Sequence, residues 1–152
     1  MVSKGQSSTE YLIILAVVIV IALIVVGVLG GIPGIGKSGR QRASATYWTT
    51  QDLSISTYAV NSSGYAKLNL MNNLRNSVTL TAVTLNGQAV GSGNLALSTG
   101  AITTREGDTP LTCTAGDTYE YTLSISYTDD ATNSTYFFDG DGQKLIGLCA
   151  SS

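Results

Sequence analysis

Few residues in this chain are equipped for chemistry. It has no histidine, which removes the usual general base, the commonest metal ligand and the one side chain that changes charge near neutral pH. Its many Ser and Thr hydroxyls therefore lack a partner to activate them as nucleophiles. Asp139-Gly140-Asp141-Gly142 has the outline of a calcium loop, but Gln143-Lys144-Leu145-Ile146 come next, where an EF-hand places its later carboxylates. A hairpin turn is the expectation there. Asp129 and Asp130 would offer oxygens to a surface cation only if two loops met. No catalytic set, metal site or cofactor is expected, and the chain is not read as an enzyme.

Covalent modification is a different matter. Cys113 and Cys149 are the only cysteines, and an even count in a polar region fits one disulfide formed in an oxidising compartment, the alternative being two buried thiols. A bridge closing a loop of about 36 residues is worth roughly 4 kcal/mol in the chain-entropy account. Asn61-Ser62-Ser63 and Asn133-Ser134-Thr135 match the N-glycosylation pattern in turn-like stretches, a pattern that also arises by chance in chains rich in Asn and Ser. Charged residues are only 12% of the chain and the net charge is −2, so nothing electrostatic argues for a nucleic-acid partner.

The elements that carry these residues fall into two kinds. Between Tyr11 and Gly36 there is no charged residue, and 12–29 is an almost unbroken run of Leu, Ile, Val and Ala. That length spans a bilayer and exceeds the apolar core of a secretory leader of about 7 to 15 residues, so the run is expected to stay in the mature protein. In lipid a single segment satisfies its own backbone only as a helix. Residues 6–30 would form a rod of about 37 Å.

In front of the run stands a specific motif. Lys4-Gly5 is followed by Gln6-Ser7-Ser8-Thr9-Glu10-Tyr11 and then at once by the apolar segment. This string resembles the class III signal peptide of archaeal type IV pilins: a short basic leader ending in Gly, then Gln-x-Ser-x-Glu-Tyr, then a hydrophobic helix. The resemblance covers residues 1–30. It implies cleavage between Gly5 and Gln6 by a membrane-embedded prepilin peptidase on the cytoplasmic side, with Lys4, Gly5 and Gln6 as the processing residues. Gln6, Ser8, Glu10 and Tyr11 would serve signal recognition and assembly.

Each residue of this motif also has a physical reading. Gly5 lets a protease approach the backbone, and Lys4 sits where cytoplasmic headgroups are anionic. Ser7, Ser8 or Thr9 is placed to cap the helix, with Glu10 in its first turn. Alternatively Glu10, a carboxylate beside an apolar helix, finds a partner in a filament core, such as the new amino terminus of a neighbouring Gln6; cyclisation of Gln6 to pyroglutamate would remove that charge. Lys37, Arg40 and Arg42 come after the run and by the positive-inside rule would hold the C-terminal part in the cytoplasm. The cysteine pair, the sequons and the pilin resemblance all require it outside.

Gly30-Gly31-Ile32-Pro33-Gly34-Ile35-Gly36 should break the helix, with helix resuming from Lys37 to Tyr47-Trp48. Trp48 is expected to be the first core anchor of the β domain. From Leu53 onward the period is two, clearest in Tyr119, Tyr121, Leu123, Ile125 and Tyr127. Further strands are expected at 53–58, 65–71, 78–85, 88–90, 101–104, 135–139 and 143–149. Asn86-Gly87 marks a hairpin, while Gly107-Asp108-Thr109-Pro110 and Asp129-Asp130 mark loops. The fold class is α+β: a long N-terminal hydrophobic helix, then an immunoglobulin-like antiparallel β-sandwich. The domain plan is a leader at 1–5, a polymerisation helix at 6–30, a neck at 31–50 and an extracellular sandwich at 51–152.

The resemblance implies a major structural subunit of an archaeal surface filament, built by packing N-terminal helices with the β-domains outside. Its partners would be further copies of itself, the prepilin peptidase, the pilus assembly platform and, before assembly, membrane lipid. The alternatives are a membrane-anchored sandwich that binds a surface ligand and a minor pilin that does not build the filament body.

Overall fold

The computed structural model describes the backbone of residues 4–30 and 33–152 and the side chains of 8–27 and 36–152. The chain forms two compact units, Met1–Ser38 and Gly39–Ser152.

Helix α1, Lys4–Gly30, has 27 residues and is about 40 Å long. Its stretch Ser8–Gly27 is long and apolar enough to cross a membrane, and none of that stretch is buried. The expected cap at Ser7, Ser8 or Thr9 is not there: these residues lie within the helix, which already runs from Lys4. Nothing in residues 4–11 forces a break, because they include no proline and Gly5 costs only about 1 kcal/mol in a helix. Glu10 consequently stands beyond the first turn, where the pull of the helix dipole has faded.

Helix α2, Pro33–Thr49, opens on the proline expected to end a helix. At the first helical position the missing N–H is no loss and the fixed φ is already helical. Gly31 and Ile32, in the middle of the expected break, lie outside the described residues.

Nine strands complete the order among the described residues: β1 Leu53–Val60, β2 Tyr65–Asn72, β3 Val78–Leu85, β4 Gln88–Ala89, β5 Leu95–Leu97, β6 Ile102–Asp108, β7 Thr118–Asp129, β8 Ser134–Phe138 and β9 Lys144–Leu148. They make an immunoglobulin-like sandwich of two antiparallel sheets. The smaller has the order β1-β2-β6; in the larger β3 and β7 are central, β4 and β5 pair with β3, and β8 and β9 pair with β7. Leu68 and Leu70 on β2, Leu80 on β3 and Leu123 and Ile125 on β7 are fully buried in one core with Trp48, as period two requires when each sheet is wet on one face only. The β3–β4 turn is Asn86-Gly87, both at positive φ (48° and 78°), the geometry for which Asn-Gly is preferred.

Three expectations change. Leu95–Leu97 is a strand where none was expected. Strand β6 runs on to Asp108, so Gly107 and Asp108 are not loop; Arg105 lies opposite Leu68 and Glu106 opposite Lys67, the latter pair an ion pair of 3.2 Å. Asp139-Gly140-Asp141-Gly142 is not a hairpin. Strands β8 and β9 both pair antiparallel with β7, so the chain keeps its direction along one edge, and the Gly140–Gly142 turn is a kink between them.

Candidate functional site

The residues of the N-terminal motif are carried by α1. Ser8, Glu10 and Tyr11 are exposed, Tyr11 at 65%, so within one chain Glu10 has no apolar surroundings. Lys4, Gly5 and Gln6 are helical in backbone, and their side chains lie outside the described residues. Beyond Tyr11 the helix is a cylinder of exposed Leu, Ile and Val from Leu12 to Val26.

The second functional region is the base of the β unit, where α2 meets β9. A strand at the edge of a sheet leaves backbone groups unpaired, a template for unwanted pairing. Here side chains occupy them. Ser44 Oγ donates to the Lys144 carbonyl (2.9 Å) and accepts from the Ile146 N–H (3.0 Å). Trp48 Nε1 donates to the same Lys144 carbonyl at 3.3 Å, and Tyr58 Oη donates to the Ile146 carbonyl at 2.6 Å. Tyr47 Oη donates to the Gly140 carbonyl at 2.8 Å, and Arg40 pairs with Glu120 at 2.6 Å. Burial raises the Tyr47 phenol pKa, helped by the charges of Asp141 and Asp139; burial also raises that of Tyr58, against an opposing hydrogen bond with Ser44.

Trp48 is thus the core anchor the sequence suggested, fully buried and edge-on to Tyr47 and Phe138. Ser44 and Tyr58 were not singled out from sequence, and Arg40 and Tyr47 were read there only as a charge after the apolar run and as the end of the resumed helix. The signal was there in part, because Ser44, Tyr47 and Trp48 fall at i, i+3 and i+4, one face of a helix.

Cys113 and Cys149 are disulfide-bonded, with Cα atoms 5.9 Å apart. The bridge ties the approach to β7 to the C-terminal end of β9, beside the parallel bridge that joins Asn61 to Ala150. The two sequons differ in setting. Asn133 is exposed with φ 54° at the tip between β7 and β8. Asn61 is half-buried, and its Oδ1 accepts from the N–H groups of Ser63 and Tyr65 and from the Ser63 hydroxyl. Asp129 and Asp130 do not form a cation site with the Asp139 loop. Asp129 accepts from Asn76 Nδ2 and the Ala131 and Thr132 N–H groups, hydrogen bonds that hold its pKa below the usual carboxylate value, and Asp130 accepts from the Thr79 hydroxyl. Among the described residues no three Cys, Asp or Glu side chains come together as a metal site.

No protein-family model matches the chain, and no curated protein matches it in sequence.

Proposed function

We propose that this chain is the structural subunit of an extracellular filament of the archaeal type IV pilin kind. It would be cleaved after Gly5 and assembled by packing of the α1 helices, with the sandwich as the outer wall. It is a building element and not an enzyme. One observation carries the reading: Gly39–Ser152 closes its own core, while the described part of α1 leaves every large apolar side chain uncovered. Such a helix needs apolar surroundings from outside its own chain, first lipid and then its neighbours, because exposure to water costs about 25 cal/mol per Å² of apolar surface. Cleavage at the Gly5-Gln6 junction supplies a route from one setting to the other. Shearing filaments from the cell surface and sequencing their main subunit tests this. The chain should be recovered in the sheared fraction; recovery only with the membrane would make it an anchored sandwich instead.

A further inference from the structure

Near the start of β1 the sandwich has a small cavity that its own chain leaves unfilled. Tyr127 and Tyr136 are register partners on β7 and β8, their rings stacked with centroids 5.4 Å apart. Together with Leu53, Ile125 and Phe138 they line a space of about 140 Å³ whose polar side carries the exposed carboxylate of Asp52. Among the described residues no cation sits against that carboxylate. The Tyr127 phenol pKa is raised by burial first and then by Asp52, Tyr136 and Asp129, a sign of the negative field in the cavity.

Aromatic faces beside an unpaired carboxylate favour a cation. Of the two basic side chains, the planar guanidinium both stacks on a ring and forms paired bonds to a carboxylate. The space is well under the roughly 300 to 1,000 Å³ of pockets that enclose small-molecule ligands, and it suits a single side chain. The chain carries a matching group. Arg42 is exposed and has no carboxylate partner among the described residues, whereas Arg40 is held by Glu120 and Arg105 is buried. Arg75 is also exposed, but it belongs to the turn whose Asn73 already bonds the Gln51 and Asp52 carbonyls, and it does not pair with that carboxylate. Arg42 lies seven residues before the end of α2, about 10 Å along a helix, and the cavity begins just after that end.

We infer that the cavity between Tyr136 and Asp52 is a socket for Arg42 of a second copy of this chain, a contact that joins neighbouring outer domains in the assembled filament. The inference rests on the filament reading. Its test uses full-length chains assembled on cells. An Arg42→Cys, Tyr136→Cys double variant, treated with a bismaleimide that spans the length of the two side chains removed, should give a ladder of covalent multimers on a non-reducing gel. Arg42→Cys paired with Thr84→Cys, on the outer face of the large sheet, should give none. Asp52→Asn and Arg42→Gln should each leave about tenfold fewer filaments after shear in high salt, as expected for losing one partner of a desolvated charge pair. The combined variant should be no worse than either alone. Filaments of normal number and resistance in both single variants, or equal ladders from the two cysteine pairs, would overturn the socket and leave the filament reading intact. Absence of filaments from the unaltered chain would overturn both.

Discussion

Trp48 lies against the backbone of Gly140 so closely that a Cβ on that glycine would stand 2.6 Å from Trp48 Cη2. Gly140 also has φ 78°. The contact explains why β8 and β9 are separated by a kink and not continuous: the gap admits the indole, and the indole carries the end of α2 into the core of the sandwich.

Gly140→Ala should therefore be among the most damaging single-methyl changes in the β unit. Overpacking against Trp48 adds to the strain of a left-handed backbone, for a loss of about 2 to 4 kcal/mol. Thermal unfolding of the fragment 39–152 reads the effect; an unchanged melting temperature would mean that the indole moves aside freely.

Reducing the Cys113–Cys149 bridge should lower stability by about 4 kcal/mol, since the loop it closes spans 36 residues. The strands on either side keep their hydrogen bonds, so the far-ultraviolet dichroism at room temperature should hardly change. Urea unfolding with and without reductant gives both numbers.

Alkali should unfold the sandwich in a defined window. Burial raises the pKa of Tyr119 most strongly, with Tyr58 and Tyr121 adding to it, and burial raises those of Tyr58 and Tyr121 as well. The folded protein keeps these phenol protons where the unfolded chain, with pKa near 10, gives them up. Their contribution is complete below about pH 10 and is lost as pH rises through the higher folded-state values. Tyrosinate absorbance should lag behind that of free tyrosine and then rise together with loss of structure. A simple titration of all phenols near pH 10 in folded protein would contradict this.

Much of this architecture is legible in the sequence because its signals are local. The uncharged run after Tyr11 needs no tertiary context to read as a membrane-length helix, and the alternation from Tyr119 to Tyr127 marks one strand with one buried face. Where the signal depends on a distant partner it fades. The expected strand stops at Thr104, short of Arg105 and Glu106, and Asp108 reads as loop, because charged residues are poor strand formers on their own; pairing with β2 makes all three part of a strand. Leu95–Leu97 is too short to show a period, although Leu95 and Leu97 between glycine-rich turns already alternate. Helix α2 has three glycines after Pro33 and no clear period; its far end is held by Ser44, Tyr47 and Trp48, bonds that reach across some hundred residues to the kink and β9. In the candidate site, the Gln6-to-Tyr11 motif is visible as a string of residues, while the sealed β9 edge exists only once α2 and β9 are brought together.

Glu10→Gln should impair assembly more than it impairs cleavage or the folding of the β unit. Glu10 stands beyond the first turn of α1 in the full chain, so the dipole offers it little, whereas a desolvated and paired carboxylate in a helix bundle is worth several kcal/mol when its partner is left alone. Filaments counted by electron microscopy in cells with only the variant should be few and short. Normal numbers would make Glu10 an ordinary surface residue.

A pilin of this kind loses its five-residue leader and keeps its apolar helix. The intact mass of the subunit taken from surface filaments tests this most directly. It should correspond to a chain that begins at Gln6, in its open or pyroglutamate form, and retains Ser8–Gly27 together with the disulfide. A mass that still includes Met1 to Gly5, or that lacks the whole apolar helix, would contradict the account.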